Sequence, residues 1–114
     1  MKFKLMITGG SGFIGTTAQD YCIKNDIAYL NLDINLPKKE SHLPYHKKVD
    51  IRDRDSLSEA IQEFQPEYIL HLAAATGMDI VDYSFFDANT IGVKNLLDAT
   101  DGLKSLRRIL ITSS

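Results

Sequence analysis

Lys4-Leu5-Met6-Ile7-Thr8-Gly9-Gly10-Ser11-Gly12-Phe13-Ile14-Gly15 is the stretch that decides the fold. Its first five residues form a short apolar run closed by glycines, the pattern of a strand buried on both faces. After Gly12 the apolar residues Ile14, Ala18, Tyr21 and Cys22 recur at helical spacing until Asn25-Asp26 break the pattern, which predicts a helix of about three turns. The glycines therefore stand where a strand turns directly into a helix. At Gly9 the backbone can turn sharply, Gly12 removes the Cβ that would meet an approaching pyrophosphate, and Gly15 lets helix pack close to strand. In the first helical turn the N–H groups of Phe13 and Ile14 lack an intrahelical acceptor, and with the helix dipole they suit phosphate oxygens.

Outward from this loop, residues 27–32 are a second apolar run that closes on Asp33. An acid at the end of the second strand is placed to accept hydrogen bonds from adenosine ribose hydroxyls, so the expected ligand is a dinucleotide. NAD is expected over NADP, because a 2'-phosphate would face the Asp33 carboxylate. A P-loop is excluded, since no Lys-Ser or Lys-Thr follows the glycines. Residues 37–48 are polar and proline-punctuated, and read as a loop leading to a short third strand near Val49. Asp50, just beyond, is a candidate acceptor for the adenine amine; the alternative is an ordinary acid in a turn before a helix.

Ser56-Leu57-Ser58-Glu59 has the spacing of a capping box, and Leu57, Ala60, Ile61 and Phe64 continue a helical stripe that Pro66 stops. Residues 68–72 read as a fourth strand. Residues 82–100 read as a long helix with Phe86, Val93, Leu97 and Thr100 on one face, ended by Asp101-Gly102. Residues 108–112 read as a fifth strand. Strands alternating with helices predict a parallel sheet with right-handed crossovers, a doubly wound α/β domain.

Composition narrows the function. A chain of 114 residues fits one domain, and 44% hydrophobic with 25% charged residues is globular. A net charge of -2 speaks against nucleic acid or an anionic membrane as the main partner. Cys22 is the only cysteine, so there is no internal disulfide, and no apolar window is long enough for a membrane span. With no signal-peptide layout at the N-terminus, a cytoplasmic location is expected. His42 and His46 are four apart, but Pro44 between them speaks against a shared helical face and no metal site is expected. His71, at the end of a buried strand, reads as a packed, hydrogen-bonded histidine. Lys38-Lys39 reads as a solvated pair, with a clamp on an NADP 2'-phosphate as the alternative.

The segments Thr8-Gly9-Gly10-Ser11-Gly12-Phe13-Ile14-Gly15, Asp33, Asp50-Ile51-Arg52-Asp53, His71-Leu72-Ala73-Ala74, Asn89-Thr90-Ile91-Gly92, Asn95-Leu96-Leu97-Asp98-Ala99 and Ile111-Thr112-Ser113-Ser114 occur in that order along the chain. Together they resemble the N-terminal part of the extended short-chain dehydrogenase/reductase family, the NAD-dependent nucleotide-sugar epimerases and dehydratases. The resemblance implies a Rossmann fold. It also implies that Asp50 and the backbone of Ile51 bind adenine, and that Leu72, Ala73 and Ala74 line the pyrophosphate and nicotinamide ribose. It makes Asn89 a supporting hydrogen-bonding group and Ser114 the catalytic hydroxyl that holds the reacting oxygen. Val93 stands where the family often has a small hydroxyl residue.

The family's second catalytic element is Tyr-x-x-x-Lys, and Tyr21, Tyr29, Tyr45, Tyr68 and Tyr83 all lack a Lys four residues on. Residues 1–114 are thus expected to be an incomplete NAD(P)-binding Rossmann domain, cut after its fifth strand and without a substrate-binding part. Alone it should be inactive and prone to self-association; the parent protein should be a homo-oligomer acting on a nucleotide sugar by transient hydride transfer. Two rivals stay open: a non-catalytic NAD(P)-sensing module on the same fold, and an NADP-dependent reductase of a small carbonyl compound.

Overall fold

The apolar run at the N-terminus becomes β1 (Lys4–Thr8), in which Met6, Ile7 and Thr8 have no exposed surface. A computed structural model describes residues 2–72 and 83–112, apart from the side chains of residues 83–90. After β1 come α1 (Phe13–Lys24), β2 (Ala28–Leu32), a 3-10 helix (Glu40–Tyr45), β3 (His46–Lys47), α2 (Arg54–Phe64), β4 (Tyr68–His71), α3 (Tyr83–Thr100) and β5 (Arg108–Ile111). The strands form one sheet in the order β3-β2-β1-β4-β5, every neighbouring pair parallel. The chain builds outward from β1 in one direction and then in the other, so the order reverses there, and in open sheets of this kind ligands bind outside the carboxyl ends of the strands at such a point.

Register brings the pieces of the site together. Thr8 pairs with Leu32 on one side and His71 on the other, so the glycine loop, Asp33 and Leu72 all leave the sheet at one level. Each face of the sheet has its own core. Met6, Leu32, Val49, Ile51 and Ile69 pack with Leu57 and Ile61 of α2 and Leu96 and Ala99 of α3. Ile7 and Tyr29 pack with Cys22 of α1 and Ile27 on the opposite face. The doubly wound expectation holds. Among the described residues, no helix is long and apolar enough to cross a membrane.

Several local expectations need correcting. Helix α2 starts at Arg54 because Asp53 is its N-cap: the carboxylate accepts the Ser56 N–H at 3.2 Å and the Ser56 hydroxyl at 2.7 Å. Asp caps a helix as well as Ser does, and an acid one turn earlier pre-empts the box read at Ser56. Helix α1 buries Gly15, Gln19 and Cys22, leaving Ile14 and Tyr21 of the expected stripe exposed. Helix α3 turns Gly92, Asn95, Leu96 and Ala99 inward, and Leu97 is 52% exposed. Phe86 lies outside the described side chains. The third strand is His46–Lys47, and Val49 is a buried core residue beyond it. The segment read as a plain loop contains the 3-10 helix, in which His42 is fully buried. Strands four and five each end one residue earlier than read.

Candidate dinucleotide site

The glycine loop is held by side chains from below. Gly9 has φ 75°, a left-handed conformation natural to glycine, and starts the turn. Gly10 donates its N–H to Asn31 Oδ1 at 2.8 Å and accepts from Gln19 Nε2 at 2.7 Å. Gln19 Oε1 in turn accepts from the Tyr29 hydroxyl at 3.0 Å, and Asn31 Nδ2 reaches Ser11 Oγ at 3.4 Å. Gln19 and Asn31 are both fully buried. Burial pushes the Tyr29 phenol well above its ordinary pKa, which keeps it a neutral donor.

Gly12 and Gly15 differ physically. A Cβ on Gly15 would lie 2.3 Å from Gly10 Cα, so this glycine is needed for helix and loop to touch. A Cβ on Gly12 would meet nothing nearer than Gly9 O at 3.7 Å, an ordinary contact. The fold itself does not require a glycine there. Gly12 N-caps α1 without a side-chain hydrogen bond, and the first helical bond runs from Thr16 N to Gly12 O at 2.9 Å. The N–H groups of Phe13, Ile14 and Gly15 precede that bond, at the positive end of the helix. The Phe13 and Ile14 side chains stand in solvent.

Asp33 follows β2 beside this loop. Its Oδ2 accepts the Ser11 N–H and its Oδ1 the Asn35 N–H, both at 2.9 Å, while Ser11 Oγ donates to Asn35 O at 2.8 Å. The carboxylate is thus oriented by backbone on both oxygens, each of which keeps lone-pair capacity for another donor. Asp50 sits in the turn after β3, where the Arg52 guanidinium holds its carboxyl below the usual range, with an Nη2–Oδ2 distance of 2.8 Å. The Ile51 side chain is buried in the core, and Asn95 Nδ2 donates to the carbonyls of Ile51 and Arg52 at 3.0 and 3.1 Å. Gly92 of α3 lets the helix close on this turn, for a Cβ there would lie 2.3 Å from Ile51 Cδ1.

At β4, His71 is buried with Nδ1 2.6 Å from Thr8 Oγ1, as expected for a packed, hydrogen-bonded ring, while Nε2 has no hydrogen-bond partner among the described residues. Burial lowers its pKa. Leu72 N donates to Thr8 O at 2.8 Å and continues the strand edge. Ala73, Ala74 and Ser114 lie outside the described residues, as does the Asn89 side chain.

The remaining charged candidates serve the scaffold. Lys39 and the buried His42 both bind Asp20 of α1, at 2.5 and 2.8 Å; Lys39 is exposed, as the solvated-pair reading expected, and carries this ion pair in addition. These bonds, Lys39 first, hold the Asp20 carboxyl below its usual pKa. No cluster of three or more metal-ligating side chains occurs among the described residues. The reading of sequence missed Gln19, Asn31 and Asn95 as parts of the site's frame. The available signal was a polar residue on a buried stripe: Asn31 inside an apolar strand run, and Gln19 one helical turn after Gly15.

This arrangement can hold an extended anionic ligand, with phosphate at the α1 N-terminus and vicinal hydroxyls at Asp33. The family described as NAD dependent epimerase/dehydratase matches residues 5–114. The chain belongs to that family. Within it, this chain is 34% identical over 122 residues to the UDP-glucose 4-epimerase of Mycolicibacterium smegmatis, covering 97% of this chain and 38% of that protein. It is 34% identical over 85 residues to a probable dTDP-glucose 4,6-dehydratase of Sinorhizobium fredii, covering 67% of this chain and 24% of that one. Among solved structures, the UDP-glucose 4-epimerase of Thermotoga maritima with UDP-glucose superimposes with a TM-score of 0.86 at 25% identity, over 97% of this chain and 38% of that one. The Thermus thermophilus UDP-glucose 4-epimerase complex with NAD gives 0.76 at 28%, over 90% and 36%. The chain thus spans between 24 and 38% of the length of these epimerase/dehydratase relatives.

Proposed function

We propose that this chain is the NAD-binding portion of an NAD-dependent epimerase or dehydratase that acts on a nucleotide sugar in the cytoplasm. The observation that carries the reading is Gly12, where the protein leaves room for a Cβ in front of the unbonded N–H groups of Phe13 and Ile14. A glycine the fold does not need, at a helix N-terminus, fits a ligand that approaches the backbone closely. In this reading Gly9, Gly12, Phe13, Ile14 and Gly15 cradle the pyrophosphate. Asp33 accepts the adenosine ribose hydroxyls, and Asp50 with the Ile51 backbone receives adenine. Leu72, Ala73 and Ala74 line the way to the nicotinamide, and the Ser114 hydroxyl donates to the reacting sugar oxygen. The nicotinamide, when bound, supplies reversible hydride acceptance.

Family membership and the relatives named above support the choice of epimerase or dehydratase chemistry over a sensing module or a small-carbonyl reductase. Turnover requires a base for the sugar hydroxyl, and no Tyr-x-x-x-Lys occurs in the 114 residues. On their own they should bind NAD weakly and convert nothing. Calorimetric titration with NAD, NADP and ADP at fixed salt tests the reading: NAD and ADP should bind and NADP should bind at least about tenfold more weakly. Absence of ADP and NAD binding, or equal affinity for NAD and NADP, would refute it.

A further inference from the structure

We propose that Gln19 and Asn31 are positioning residues for the diphosphate, clamping the Gly10 peptide groups so that the loop's outward N–H groups are aimed before a ligand arrives. The inference rests on the dinucleotide reading of the site and adds to it two side chains that cannot touch the ligand, being fully buried beneath the loop. Two amides in a sheet-helix core are costly unless every polar atom is bonded. Here all four amide atoms are bonded: Gln19 to Gly10 O and the Tyr29 hydroxyl, Asn31 to Gly10 N and Ser11 Oγ. The peptide between Gly10 and Ser11 is fixed at both ends, its oxygen by Gln19 and its N–H by Asp33. The peptide before it is fixed through the Gly10 N–H by Asn31.

Three elements, α1, β2 and the turn after β2, therefore set the orientation of two successive peptide planes. A fully satisfied buried network of this kind restricts the backbone it binds. A glycine-rich loop without such contacts would have to be ordered by the ligand, and the ordering cost would come out of the affinity. Packing does not by itself call for polar groups here, since an apolar side chain would fill buried space without needing hydrogen-bond partners. The bonds go to the loop that ends at Gly12, and that is what assigns them to positioning.

The test compares ligands with and without a diphosphate. Asn31→Leu and Gln19→Leu should each weaken ADP binding about tenfold by calorimetry, while adenosine, followed by NMR titration, should bind within about twofold of the unaltered protein. Asn31→Asp, which keeps an acceptor for the Gly10 N–H, should restore most of the ADP affinity. Should the leucine variants not fold, hydrogen exchange on the unaltered, ligand-free protein decides: the Gly10 and Ser11 amides should exchange as slowly as those of β1. Unchanged ADP affinity in the folded variants, equal weakening of ADP and adenosine, or fast exchange at Gly10 would overturn the clamp alone. Failure of the unaltered protein to bind ADP would overturn the dinucleotide reading with it.

Discussion

Gly12 and Gly15 lie one helical turn apart and should fail in different ways. Gly12→Val should lower ADP and NAD affinity at least about a hundredfold while circular dichroism and melting temperature stay near those of the unaltered protein, because the new side chain fills ligand space. Gly15→Val should instead melt lower, because its Cβ would fall on Gly10 backbone. Asp33 should enforce NAD over NADP: a phosphate charge about 4 Å from the carboxylate costs ~4 kcal/mol at an effective dielectric of ~20, and half of that exceeds tenfold. Asp33→Ala should narrow the preference but also weaken ADP, since it releases the Ser11 N–H. The His71 ring carries a pH signature. Burial lowers its folded pKa from the ordinary 6.5, so below that pH the unfolded chain binds more protons and stability falls as the medium is acidified. The drop in melting temperature between pH 7.5 and 5.5 should shrink in His71→Gln; an unchanged drop would place the titrating group elsewhere.

Helix α3 supports the turn after β3 as Gln19 and Asn31 support the glycine loop. Asn95 holds the carbonyls of Ile51 and Arg52, and Gly92 admits the Ile51 side chain. Asn95→Ala leaves the buried Ile51 carbonyl unpaired, which should cost about 1–3 kcal/mol in urea denaturation. It should also weaken adenosine and ADP by the same factor, unlike the Gly10 clamp variants. Elements like these were legible in sequence only by outline. The glycine loop, the buried stripe of α2 and the alternation of strands and helices followed from local pattern, because turn chemistry and periodicity are local properties. The inward faces of α1 and α3 did not, because Gln19 and Asn95 are buried by hydrogen bonds to distant backbone and no hydrophobic period reports that. The same applies to His42, whose burial depends on Asp20 across the α1 surface.

Over the whole molecule the sheet is uneven. Strand β5 pairs with β4, and Leu110 and Ile111 along it are about half exposed. Unpaired strand edges with apolar side chains recruit further strands. Prepared as the 114-residue polypeptide, the protein should therefore associate with rising concentration in sedimentation experiments; Leu110→Lys should oppose this without changing ADP affinity. The parallel, doubly wound character of the sheet was legible from the glycine loop and the strand-helix alternation, since few topologies satisfy both. The extent of β3 was not: its two residues are defined by pairing with Asn31 and Leu32 of β2, a long-range contact that no local pattern reports. The buried contacts of Gly10 also bear on protein engineering. Residues 4–15 contain every glycine of the loop, yet the groups that fix its shape come from Gln19, Asn31 and Asp33, outside that stretch. Grafted onto another sheet, the dodecapeptide would carry the letters of a phosphate-binding loop and none of its rigidity, so a working transplant has to include the whole β1-α1-β2 unit.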